Sequence, residues 1–168
     1  MTIQIDDAGS GDLLHGVVIG AYRPESDVFF YDLINVKYFQ KPLYREKIHL
    51  QEAKKITVSL VQRMKLREKE KIIICTGDIL NVAAEALLEE FGEDVVERGK
   101  IEGRGQYLVE LAYTDELRNL GYVPLKERTE KWGKSFWHMY RWVRNNPKKR
   151  LKWTKSAFPN LKKYPLFR

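Results

Sequence analysis

One cysteine in 168 residues, Cys75, removes two classes of protein at once. An internal disulfide framework needs at least a pair of thiols, and a cysteine-rich zinc site needs more. No apolar run approaches the roughly 20 residues a membrane span requires, so no membrane segment is expected. Histidine is scarce, with only His15, His49 and His138. The first dozen residues carry Asp6, Asp7 and Asp12 without a basic leader. No secretory signal is therefore expected, and the expected setting is cytoplasmic. There is no internal repeat, and no low-complexity stretch beyond a basic tail.

What is present describes a folded chain. Hydrophobic residues make up 43% and charged residues 32%, a composition that supports a core and a solvated surface. The length suits one domain better than two. Net charge is +7, but its distribution is uneven. Residues 125–168 hold 14 Lys or Arg against 2 acids, a net +12, and residues 1–124 carry a net −5. All four tryptophans, Trp132, Trp137, Trp142 and Trp153, fall in the basic stretch. Such asymmetry points to a nucleic-acid partner, because Lys and Arg neutralise phosphates and release counterions. We therefore divide the chain into a domain at 1–124 and a basic, Trp-rich extension at 125–168.

The chemistry gathers at Ile3–Gly11. Ile3 and Ile5 alternate with Gln4 as a strand alternates its faces. The strand delivers two adjacent carboxylates, Asp6 and Asp7, into the turn Gly9-Ser10-Gly11. Neighbouring acids repel, and a divalent cation such as Mg2+ or Mn2+ relieves them through hard oxygen ligands. The glycines leave room for a polyanion to approach the backbone. The bland alternative is a solvated turn, since Asp is common before Gly.

Further along, Gly16–Tyr22 reads as a buried strand and Asp27–Phe39 as a third. Helical spacing of Ala53, Ile56, Leu60 and Met64 predicts a helix near 45–66. Lys71–Asp78 reads as a strand ending in an acid, with Cys75 in its core. Val82–Phe91 forms a helix stopped by Gly92, and Val95-Val96 starts a fifth strand. Gln106–Leu120 forms the last helix of the domain, with Leu108, Leu111, Ala112 and Asp115 on one side. In the extension, Phe136, Trp137, Tyr140 and Val143 follow helical spacing. Lys148, Lys149, Arg150 and Trp153 then mix cations with an aromatic ring, as strand-binding grooves do. The alternative is an arm whose rings cover an exposed face. Gly103-Arg104-Gly105 offers backbone N–H groups to phosphate. His15, four residues past the glycine turn, is either a proton relay or a structural histidine.

This order, with an acid after the first strand and another after the fourth, resembles the ribonuclease H superfamily. Asp6-Asp7-Ala8-Gly9-Ser10-Gly11 resembles the Asp-Glu-Ala-Gly-Arg-Gly signature of type 2 ribonuclease H. Leu50-Gln51-Glu52-Ala53 and Tyr113-Thr114-Asp115 resemble further, less specific segments of that family. The resemblance implies an α/β fold with a mixed five-stranded sheet flanked by helices. It also implies metal-dependent hydrolysis of nucleic acid, with the RNA strand of an RNA–DNA hybrid as first substrate. Carried over by position, the metal ligands are Asp6, Asp7, Asp78 and Asp115. Type 1 enzymes supply a Glu from the helix after the third strand, and Glu52 fills that place, so Glu52 and Asp7 compete for one role. The turn Gly9, Ser10 and Gly11 would read the 2′-hydroxyl of the RNA. Four departures stand out. Ser10 replaces the signature Arg, Asp7 replaces Glu, Asp78 follows rather than precedes a glycine, and the Gly-Asp-Ala-Lys segment before the last helix is missing. Two other readings remain open at this point: a non-catalytic nucleic-acid-binding module of the same fold, and a protein-interaction domain docking through its tail.

Overall fold

A computed structural model describes all residues from Met1 to Arg168. Strands β1 (Thr2–Ala8), β2 (Val17–Arg23) and β3 (Val28–Ile34) run antiparallel to their sequence neighbours. Helix α1 (Ile48–Met64) then crosses over to β4 (Lys71–Ile74), which lies parallel to β1. Helix α2 (Asn81–Phe91) leads to β5 (Val96–Arg98), parallel to β4, and helix α3 (Arg104–Asn119) follows. The sheet order is β3-β2-β1-β4-β5, the mixed five-stranded α/β arrangement that the resemblance implies. β1 is central because its crossover partner pairs on the side that β2 leaves free. Ile3, Ile5, Val17, Ile19 and Ala21 are accordingly sealed from water.

Helices cover both sheet faces. On one face α1 turns Ala53, Thr57, Leu60, Val61 and Met64 inward, a stripe at helical spacing, and packs beside α2. Lys65, in the left-handed conformation, ends α1. A buried ion pair ties that end to the sheet. Arg23 Nε donates to Glu70 Oε1 at 2.6 Å, and the same guanidinium caps the Met64 carbonyl at 2.8 Å.

On the other face α3 buries Val109, Ala112, Tyr113 and Leu117. The expected inward side, Leu108, Leu111, Ala112 and Asp115, is displaced by one position. One residue is about 100° of rotation, so Leu111 is 38% exposed and Asp115 faces solvent.

The extension packs on this second face. Helix α4 (Trp132–Asn145) buries Ser135, Met139, Tyr140 and Val143, while Trp132 and Trp137 stay about half exposed. A one-turn helix at Pro147–Arg150 follows. Residues 153–157 then lie along the loop after β1. His15 N donates to Trp153 O at 2.6 Å, Lys155 N to Leu13 O at 2.9 Å, and Ala157 N to Phe39 O at 3.1 Å. No helix is long and apolar enough to cross a membrane.

Candidate active site

Asp6 and Asp7 stand at the carboxyl end of β1, opposite Gly20 and Ile19 of β2. On the other side Cys75 N donates to Ile5 O at 2.9 Å, one step beyond the Ile5–Ile74 pair, which sets Cys75 beside Asp6. The two carboxylates and the Cys75 thiol each offer a ligand atom, all within 4.8 Å of one another. The sequence alone places Cys75 in the core. It is half-buried instead, with its thiol within 4.8 Å of the Asp6 carboxylate.

Burial governs the protonation of this cluster. It pushes the Asp6 carboxyl up, against the bonds from Cys75 and the Asp7 backbone, whose N–H donates to Asp6 Oδ1 at 2.9 Å. Burial also pushes Asp7 to about 6, with the Ser10 side chain working the other way and the Asp6 charge adding to the rise. The Cys75 thiol is raised, first by burial and then by the neighbouring acids.

Two glycines make room for this arrangement. A Cβ on Gly77 would stand 2.9 Å from Asp7 Oδ1. Gly9, at φ +90°, lies flat against the Tyr113 ring, and a Cβ there would collide with it.

The structure does not bring the other expected acids to the cluster. Asp78 opens the turn beyond Gly77 and is exposed, three residues past the position that pairs beside Asp6. It lines a cavity with Ser10. Glu52 binds Lys55 at 2.8 Å on α1. Asp115 binds Arg118 at 3.0 Å on the outer face of α3. The acid that α3 does turn toward the cluster is Glu110, whose charge raises Asp6 and which Asp7 raises in return.

Glu110 is held by Arg128, a buried guanidinium from the extension that also binds Asp12 and lies 4.7 Å over the Tyr113 ring. Neither Glu110 nor Arg128 stands out in the sequence. Glu110 directly follows Val109, the first large apolar residue of the buried stripe, and that is the only local sign of it. His15 pairs with Glu116 at 3.6 Å and meets Trp153 edge-on, away from the acid pair's ligand set.

Of the expected nucleic-acid contacts, Gly9, Ser10 and Gly11 flank the cluster. Arg104 binds Asp27 at 2.7 Å near the opposite end of β1, where its neighbour Gly105 meets Gln4. Lys148 and Lys149 are exposed, Arg150 stacks 4.2 Å over Trp142, and Lys152 sits over the half-buried Trp153.

The donor set fits one divalent ion, with two carboxylate oxygens and one sulfur in reach of a common centre. A bridged pair of ions needs more oxygen donors than these three residues supply, and Glu110 is already engaged by Arg128.

No protein-family model matches the chain, and no curated protein sequence does. Two solved structures match with probability 1.00. One is the crystal structure of Bst-RNase HIII in complex with Mn2+, with a TM-score of 0.55 and 16% identity over 96% of this chain and 68% of that one. The other is a single-residue mutant of Bst-RNase HIII, with a TM-score of 0.54 and 14% identity over the same shares. Together with the strand order and the crossover, these likenesses identify the fold: the chain is a divergent protein of ribonuclease H-like architecture.

Proposed function

We propose that the protein is a metal-dependent nuclease, with Asp6 and Asp7 holding the ion. One observation carries this reading. The two carboxylates and Cys75 converge at the carboxyl end of the central strand, beside a glycine-flanked turn that a polyanion can approach. A bound divalent ion supplies a more acidic water and a charge on the phosphoryl oxygen.

The chain's own residues do the rest. Burial and the Asp6 charge hold Asp7 near 6, so it is largely ionised and open to an ion at pH 7 but protonated at pH 5. Tyr113 fixes the turn from below by donating to Leu14 O at 2.7 Å and packing on Gly9. Glu110 adds negative charge toward the acid pair, and Arg128 sets its position. Nucleic acid is the partner, with an RNA–DNA hybrid as the first substrate to test and Mn2+ as the first ion, the one bound in the neighbouring structure.

The test is cleavage of an end-labelled hybrid by the wild type and Asp6→Asn, with Mn2+ and with Mg2+. Metal-dependent cutting that the variant loses supports the nuclease. A second reading rests on Cys75, rather than Asp78, standing beside Asp6: a nucleic-acid-binding module without catalysis. Salt-sensitive binding of the intact hybrid, equal in wild type and Asp6→Asn, selects that module instead.

A further inference from the structure

The loop before α1 and the end of the extension enclose a cavity of about 400 Å³. Lys41, Arg45 and Lys47 line it from one side and Lys162 from the other, with Tyr44 and His49 at its base. No acidic residue lines it, and none of the four cations pairs with a carboxylate. Four unpaired cations around one hollow repel one another, so an anion there lowers their energy.

His49 belongs to the same wall. It is 9% exposed and stacked on Tyr44 at 4.5 Å, and its Nδ1 has no hydrogen-bond partner.

The cavity is not isolated. Tyr44, His49 and Leu50 are shared with a second hollow of about 200 Å³, whose other wall holds Ser10 and Asp78. Tyr44 and Phe158 continue into a third, of about 550 Å³, lined by Ser10, Gly11, Phe136, Lys163 and Tyr164. The three together make a path from the cationic hollow to the turn that follows Asp7. Cations stand at its two ends, four around the first hollow and Lys163 in the third. Tyr44, Phe158, Phe136 and Tyr164 lie along the way, and these are the kinds of residue that hold a phosphate backbone and stack bases.

We infer that the hollow between Arg45 and Lys162 is a phosphate subsite for a single nucleic-acid strand, which the path guides to the acid pair. The inference rests on the nucleic-acid reading above and adds the route and the anchoring residues. It also gives Asp78 a place, as a wall of the path beside Ser10.

The test is fluorescence anisotropy with a labelled oligonucleotide, as single strand and as hybrid, in EDTA so that nothing is cut. Arg45→Gln/Lys162→Gln removes one cation from each side of the hollow. Both side chains are exposed and unpaired, so a matching melting temperature is expected. The double variant should bind about tenfold more weakly, and its salt slope should fall by about 1.5. Arg45→Lys/Lys162→Arg should restore both. Lys65→Gln/Lys69→Gln, at the far end of α1, is the control for charge alone.

An Arg45→Gln/Lys162→Gln effect no larger than the control's overturns the subsite while the wild type's binding leaves the nucleic-acid reading standing. Failure of the wild type to bind any oligonucleotide overturns both. Adenosine monophosphate binding as tightly as the oligonucleotide would show a free-nucleotide site, and would also overturn the inference.

Discussion

Lys155 Nζ donates to the backbone carbonyl of Asp12 at 2.9 Å, joining the last part of the chain to the loop after β1. A second bond of 2.9 Å reaches the Leu14 carbonyl, and the ammonium lies 5.7 Å from the centre of the Phe39 ring and 5.9 Å from that of Tyr113. The side chain is wholly buried. Burial pushes its pKa down to about 7, against the pull of the Asp12 charge.

Lys155→Met should therefore do two things. It strands the Asp12 carbonyl, because Leu14 O keeps its bond from Tyr113, and this costs on the order of 1–3 kcal/mol. It should also flatten a pH dependence. The folded pKa lies below the unfolded one, so the unfolded chain binds more protons, and wild-type stability rises between about pH 7 and 10. Urea unfolding at pH 7, 8 and 9 should show that rise in the wild type and lose it in the variant.

Asp7 has the opposite sign. Its folded pKa of about 6 lies above the ordinary carboxylate value of 3.8, so the folded protein holds the proton more tightly. This contribution makes wild-type stability fall as pH rises from about 4 to 6. Asp7→Asn should remove that fall and stabilise the ion-free protein at pH 7 by at most ~3 kcal/mol. Mn2+ should raise the wild-type melting temperature at pH 7 more than at pH 5, and should barely move the variant's. Melting curves at the two pH values decide both points.

Cys75 should set the choice of ion. Sulfur favours softer ions than oxygen does. Wild type should thus bind Cd2+ more tightly than Mg2+ and show a thiolate-to-metal absorbance band that Cys75→Ser lacks. Cys75→Asp should shift preference toward Mg2+ and lower ion-free stability, since a third carboxylate then crowds Asp6. Absorbance titration and thermal melting give the two readouts.

Glu70→Ala should be the most damaging of these changes. It leaves the Arg23 guanidinium buried at 4% exposure with only carbonyls to bind, and loss of one partner from such a pair costs about 3–5 kcal/mol. The melting temperature should drop sharply, and Glu70→Gln, which keeps acceptor and shape, should drop less.

The first strands and the position of the acid pair are legible in the sequence because their signals are local, while the mixed five-stranded sheet follows from the resemblance to ribonuclease H. Alternation marks β1, the apolar run marks β2, and Asp6-Asp7 sits against glycines within six residues. What stays hidden depends on long-range geometry. The β1–β4 register decides that Cys75, not Asp78, stands beside Asp6. The acid of α3 that comes near the pair is Glu110, five residues before Asp115, and only the packing of that helix against the sheet shows it. The charge of the extension reads as a surface for a partner, yet Arg128 and Lys155 are spent inward on Asp12 and Glu110. Composition counts cations without saying which way they point.

The extension's inward cations also impose an order in time. Asp12 leaves the ribosome more than a hundred residues before Arg128 and Lys155. At about 5–20 residues per second the acid waits on the order of ten seconds for its counter-charges. A nascent chain thus carries this turn well before the residues that hold it still have been made.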